Sequence, residues 1–404
     1  MKTNNQTLLT KARRLGLILI ANKLSDSLLS AKTTLPTLLS VSGAPGWMAQ
    51  LLVPIRESGA LLPQALFAFL LRTYSRRDIA WQLSMFIQFV SGALLLGLGL
   101  TLEGLAAGLA ILVSLVLMSL SRALSSLTTK DIQAFHIDKG DRGKLLGSAS
   151  TISSVISIAI AITALLGSTS LSSNKLIILG SIALAAKLFC MYLMRPLKTS
   201  VEIDKSSEQE KKLGGFFALA NKNSLMKFIA VRSLLAHTAL LAPLFVLSYD
   251  GGLINLLALL IIAQGIADFL SSYIWGALSD KSALLCMRFG AAIAFIATAC
   301  LLFLPLYFDN LLSSNVFILS LFFILSIGHQ GVRTGRKIYG VDIAEEQDRT
   351  EFVAFSNTFV GVSLLVLGSV YALINAYAPQ LSLSMMLLGL ALGITGTFFL
   401  KREK

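Results

Sequence analysis

Residues 79–128 read IAWQLSMFIQFVSGALLLGLGLTLEGLAAGLAILVSLVLMSLSRALSSLT, two apolar runs (79–100 and 104–128) parted by three residues. A helix that crosses a bilayer needs about 20 mostly apolar residues, and both runs are far too long for strands. Hydrocarbon offers the backbone no partner, so every polar group must be satisfied inside the segment. Ten further stretches qualify: 15–38, 46–71, 145–167, 175–195, 223–248, 252–278, 284–307, 315–337, 352–375 and 381–400. No period-two alternation recurs at barrel spacing. The expected fold is an all-α integral membrane protein of twelve transmembrane helices.

Composition agrees. Of 404 residues, 55% are hydrophobic and 14% charged, against roughly 25% charged in a soluble domain. The mean hydropathy of +0.76 leaves too little polar surface to coat soluble domains. An ordinary soluble enzyme is excluded. The net charge of +13 would suggest nucleic acid in a soluble chain, but here topology accounts for it. Of 34 Lys and Arg, the twelve-span reading puts 27 at cytoplasmic ends and loops and Lys175 alone in an outer loop. Lys23, Lys32, Arg56, Arg122, Lys187 and Arg232 fall within helices. That asymmetry predicts both termini in the cytoplasm. The N-terminus has an apolar stretch, yet Asn22, Lys23 and Asp26 cut it and no cleavage site follows, so it reads as a retained first helix. Cys190, Cys286 and Cys300 lie in apolar runs without CxxC spacing, which implies neither a disulfide framework nor a zinc site.

The polar segment 196–222 divides the chain into a six-helix half at 1–195, a cytoplasmic linker, and a second half at 223–404. An offset of 207 superimposes Pro36 on Pro243, Lys130 on Lys337, and Asp141-Arg142 on Asp348-Arg349. The halves are therefore expected to be parallel repeats, with a binding site at their interface near the midplane.

The stretch Trp275-Gly276-Ala277-Leu278-Ser279-Asp280-Lys281-Ser282 resembles the G-x-L-[SA]-D-[RK] loop motif of the major facilitator superfamily. Pro54 to Gly59 and Lys130 to Arg142 also look like bacterial members. The resemblance implies two pseudo-symmetric six-helix halves and a secondary transporter of the inner membrane working by alternating access. It places Asp280 and Gly276 at a gating position. The first-half copy, Leu71 to Asp78, has Thr73 where the acid would stand, so a lock there must use other residues. Helices one, four, seven and ten line the cavity in this superfamily, which makes Arg122, Arg232, His237 and His329 candidates for substrate contact.

Each charge at the bilayer centre costs about 2.5–3.5 kcal/mol and needs a partner or a role. Asp26 lies roughly 17 Å deep at 1.5 Å per residue. It reads either as the partner of Lys23 at i,i+3 or as a proton-coupling site. Arg56 and Glu57 sit among Pro54, Gly59 and Pro63, and an interrupted helix beside charges points to a transport site. Adjacent residues diverge by about 100°, so at least one faces a cavity or another helix. Glu57 is the second proton-coupling candidate, and its repeat mate is the uncharged Gln264. Arg122 has His329 as its mate. Arg122 and Arg232 either contact substrate or snorkel to water. His237 and His329 are either proton carriers or neutral bonded rings. Lys187 pairs with Asp26 or Glu57 or lies at the lipid boundary. Arg333, Arg336 and Lys337 read as topology anchors, and Asp268 as part of the gate. Six deep cations against Asp26, Glu57 and Asp268 leave an excess of three, which favours an anionic or zwitterionic solute, with Arg56 or Arg122 expected to contact its acidic group and Gln264 also among the substrate contacts.

No phosphate-cradling G-x-x-x-x-G-K-[ST] loop exists. An intramembrane enzyme would want paired metal-binding carboxylates or a nucleophile with its base, and a receptor would want an output domain. The reading is thus a monomeric, proton-coupled transporter of a small organic solute, without cofactor, metal or nucleic-acid partner. Proton-driven efflux of amphiphilic drugs is the alternative.

Overall fold

Apolar runs become helices because each N–H and C=O must close an internal bond where lipid supplies none. The computed structural model describes residues 2–137, 142–166, 172–200, 223–250, 253–279, 281–343 and 349–401. In chain order the helices are α1 (Lys2–Leu28), α2 (Thr34–Val41), α3 (Ala49–Leu61), α4 (Gln64–Arg72), α5 (Arg77–Thr101), α6 (Gly104–His136), α7 (Arg142–Leu166) and α8 (Ser172–Met194). They continue with α9 (Asn223–Leu235), α10 (His237–Leu247), α11 (Leu253–Ser279), α12 (Ala283–Phe303), α13 (Asn315–Asp342), α14 (Arg349–Tyr377) and α15 (Pro379–Thr397). An isolated antiparallel bridge joins Arg76 to Ser200. Among the described residues, ten spans are long and apolar enough to cross a membrane. The other two, α1–α2 and α3–α4, carry Lys23, Asp26, Lys32, Arg56 and Glu57 and bring the first half to six spans.

Three spans expected to be continuous are broken. The stretch 15–38 parts at residues 29–33, 46–71 begins with a 3-10 turn (Gly46–Met48) and parts again at Leu62 and Pro63, and 223–248 parts at Ala236. Proline explains the first two breaks. The Pro36 ring opposes the carbonyl four residues back, at Lys32 inside the gap, and Pro63 forces a new start for α4. Ala236 is the repeat mate of Leu29 at the offset of 207, so both halves break their first helix at the same place. The carbonyls freed at the end of α1 are taken up from within the protein, as a lipid environment requires. The Thr34 hydroxyl donates to the Leu28 carbonyl at 2.7 Å, and Arg56 donates to the carbonyls of Leu29 and, at 3.1 Å, Asp26.

Helices pack in lipid by close approach of small residues rather than by hydrophobic drive. A methyl group added at Gly290 of α12 would lie 2.6 Å from the Gly328 carbonyl of α13, and the reverse contact has the same length. The larger buried cluster runs through both halves and includes Leu35, Leu38 and Leu39 of α2 with Leu241, Phe245 and Val246 of α10. A smaller one, with Leu15, Trp81, Ile132 and Cys190, belongs to the first half alone. The halves are thus joined on the face away from the termini and parted on the face that carries them.

Candidate functional site

That parting is a cavity of about 650 Å³ between the halves. Its walls come from α1, α3, α6 and α7 on one side and α11, α13 and α14 on the other. It runs from the level of Asp26 to Lys130 and Lys337, which sit toward the ends of α6 and α13 on the side of the chain termini. Three pairs related by the offset of 207 face the same space: Glu57 with Gln264, Arg122 with His329, and Lys130 with Lys337. The far end is closed where α3 meets α14. Ser58 donates to the Gly361 carbonyl at 2.8 Å, and a methyl group at Gly368 would collide with Pro54.

Asp26 is the hub of the first half. Its carboxylate lies 3.0 Å from Arg122, 3.5 Å from Lys187 and 3.6 Å from Arg56. Lys187 also donates to Oδ1 of Asn22 at 2.6 Å and to Oε1 of Gln88 at 2.9 Å. Of the two readings of Asp26, the pair with Lys23 does not form: residues from α3, α6 and α8 reach Asp26, while Lys23 lines the cavity. Of the three partners, Arg56 and Lys187 are 8% and 4% exposed but Arg122 is 31% exposed, which makes Arg122 the cation a solute can reach. Arg56 spends two of its donors on the broken end of α1. Glu57 differs from Asp26. It faces the cavity, and among the described residues no Lys or Arg nitrogen lies within 4.0 Å of it.

In the second half Asp268 accepts from Gln264 at 2.8 Å and from Gln330 at 2.5 Å, and Ser326 donates to the side-chain Oε1 of Gln264 at 3.0 Å. Asp268, expected near the gate, stands on the cavity wall about 16 Å before the end of α11 at Ser279. His329 also lines the cavity and pairs with Thr238 at 3.0 Å.

Arg232 and His237 point elsewhere. Arg232 donates to Ser356 at 2.7 Å and Asn357 at 2.8 Å, tying α9 to α14. His237 must donate through Nδ1 to the Leu234 carbonyl, which leaves Nε2 to accept from Tyr371 at 2.7 Å. Both are committed to packing between helices of the second half. A methyl group at Gly276 would meet open space, so packing does not demand glycine there. Asp280 lies outside the described residues. In the first half, where Thr73 replaces the motif acid, Arg77 binds Asp131 of α6 at 2.7 Å and the Leu71 carbonyl at 2.8 Å, and Arg76 binds Asp78 at 2.8 Å.

Arg333, Arg336 and Lys337, read from the sequence as topology anchors, all line the cavity. The signal was present in their spacing. His329, Arg333 and Arg336 fall at i, i+4 and i+7, one face of a helix, and Arg122, Ser126, Thr129 and Gln133 on α6 fall at i, i+4, i+7 and i+11. Among the described lining residues eight are basic and three acidic, a net of five positive charges. No group of His, Cys, Asp or Glu among the described residues gathers to hold a metal.

No protein-family model and no curated protein matches the sequence. Solved structures do. The nucleoside transporter NupG superimposes with a TM-score of 0.67 at 12% identity, covering 96% of this chain and 98% of that one. A POT family transporter in complex with 5-aminolevulinic acid gives 0.69 at 9% identity, covering 96% and 94%. The inward open conformation of the xylose transporter XylE from E. coli gives 0.67 at 10% identity, covering 98% and 96%. These likenesses extend over nearly the whole chain, and the fold is that of the major facilitator superfamily.

Proposed function

We propose that this chain is a secondary transporter of the bacterial inner membrane that moves a small anionic or zwitterionic organic solute by alternating access. The halves at 1–195 and 223–404 rock against each other, with the segment 196–222 as a cytoplasmic linker and both termini in the cytoplasm. The observation that carries the reading is the cavity between the halves, open toward the termini, closed at the α3–α14 contact, and lined by five more positive than negative charges. Excess positive charge in a partly desolvated space is relieved by an anionic solute, and it also raises the local concentration of one. Arg122, Gln264 and His329 are the proposed substrate contacts.

Coupling to protons is assigned to Glu57, with Asp26 as its fixed neighbour. Protonating Asp26 would leave Arg56, Arg122 and Lys187 facing one another, whereas protonating Glu57 breaks no ion pair. Amphiphile efflux would be served by an apolar chamber, which this cavity is not. Counterflow in proteoliposomes tests the transport reading. Vesicles loaded with an organic anion should accelerate entry of the same labelled anion, and a panel of organic acids that all fail, beside a lipophilic cation that passes, would overturn it.

A further inference from the structure

Helix α13 carries Arg333, Arg336 and Lys337 within little more than one turn, and all three line the cavity. Arg333 stands three residues before Arg336 and four before Lys337, spacings that put Cβ atoms about 5–6 Å apart on a helix, so Arg333 neighbours both and the three form one cationic cluster. Among the described residues, no carboxylate lies within 4.0 Å of any of the three. The other cationic group of the cavity is built differently, because Asp26 stands among Arg56, Arg122 and Lys187. The second-half acid Asp268 is engaged by Gln264 and Gln330. Arg333 and Lys337 are exposed and Arg336 is half-buried, and Glu57 is the cavity acid whose charge acts on them, so three clustered cations against one acid leave an excess that attracts an anionic occupant.

The wall across from this patch is of another kind. Ser125, Ser126 and Thr129 of α6 and Ser150, Ser153 and Ser154 of α7 form a face of hydroxyls. Ser125 and Thr129 donate to helix carbonyls and accept from Gln88 and Trp81, while Ser126, Ser150, Ser153 and Ser154 present the other hydroxyls of this face to the cavity.

We propose that the solute is a phosphomonoester with a hydroxylated body, its phosphoryl group on Arg333, Arg336 and Lys337 and its hydroxyls along α6 and α7. This rests on the transport reading and deepens it. A phosphoryl dianion concentrates two charges and three terminal oxygens on one atom, which suits three cations within one patch and the bidentate fork of Arg. A dicarboxylate separates its charges and would want its cations apart. A cavity of about 650 Å³ lies in the range that encloses a small organic ligand.

The test is calorimetric titration of the full chain in detergent with glucose 6-phosphate, glycerol 3-phosphate, glucose and succinate at matched ionic strength. A phosphomonoester should bind at least about tenfold more tightly than glucose or succinate, and Arg333→Gln and Arg336→Gln should each weaken it by about tenfold. Arg336→Lys should retain part of the affinity. Binding should fall between about pH 7.5 and about pH 5.5, as the phosphate takes up its second proton near pH 6. Sulfate should displace the phosphomonoester where chloride at equal ionic strength does not, a readout in wild-type protein that stands even if a variant fails to fold. Succinate binding as tightly, no displacement by sulfate, or unchanged affinity in a folded Gln variant would overturn the proposal. Succinate transport without phosphomonoester binding would remove this inference and leave the transporter, whereas phosphomonoester binding without flux would keep the site and remove the transporter.

Discussion

The guanidinium of Arg122 on α6 lies 3.0 Å from the carboxylate of Asp26 on α1, so one acid in the first half is shared by cations from three other helices. The arrangement makes Asp26 structural as well as electrostatic. Asp26→Asn strands three cations, and removing one partner of a buried ion pair costs about 3–5 kcal/mol. The variant should melt well below the wild type in detergent, whereas Glu57→Gln should melt close to it. Equal melting temperatures for Asp26→Asn and the wild type would show that the cluster is not holding α1 in place.

Arg56 and Arg122 share Asp26 but should behave differently on substitution. Arg56→Gln removes donors to the Leu29 and Asp26 carbonyls at the α1 break, so it should lower stability and weaken charged and esterified solutes alike. Arg122→Gln should weaken the charged solute about tenfold or more and the ester little, because only the former loses a charge-assisted bond. Identical charged-to-ester ratios in the two variants would contradict the assignment of Arg122 as the reachable cation.

Closure of the face away from the termini depends on α3 touching α14. Gly361→Val pushes a side chain into Leu62, 3.0 Å from where its Cβ would lie, and should splay that contact. A cysteine placed at Ala60 should then react faster with a membrane-impermeant thiol reagent added from outside. An unchanged rate would move the closed gate elsewhere.

In the first-half loop, where Thr73 stands in place of the motif acid, Arg77 pairs with Asp131. Asp131→Asn should slow solute exchange several-fold while leaving equilibrium affinity near that of the wild type, since the pair is remote from Asp26. Asp280→Asn should act in the same way in the second half. Loss of affinity in proportion to rate would place these residues in the binding site instead.

Much of this was legible in the sequence because lipid leaves the backbone few choices. Apolar run length gave the spans, and the offset of 207 paired Glu57 with Gln264 and Arg122 with His329 across one cavity. Partner choice was not legible. Spacing along α1 suggested Lys23 for Asp26, but the actual cations arrive from α3, α6 and α8, which only tertiary packing brings together. Arg232 and His237 sit on a helix of the right number yet are absorbed by Ser356, Asn357 and Tyr371, because helix identity does not specify rotation. The basic stripe on α13 could have been read from its period, and was hidden by the habit of treating cations near a helix end as anchors.

Solute flux in proteoliposomes, under an imposed pH gradient and with wild-type and Glu57→Gln protein side by side, tests the central claim most directly. The wild type should drive net solute movement that a protonophore abolishes, and Glu57→Gln should lose that movement while keeping solute exchange at zero gradient. Gradient-driven movement of undiminished size in Glu57→Gln, or none in the wild type for any organic anion, would contradict the account.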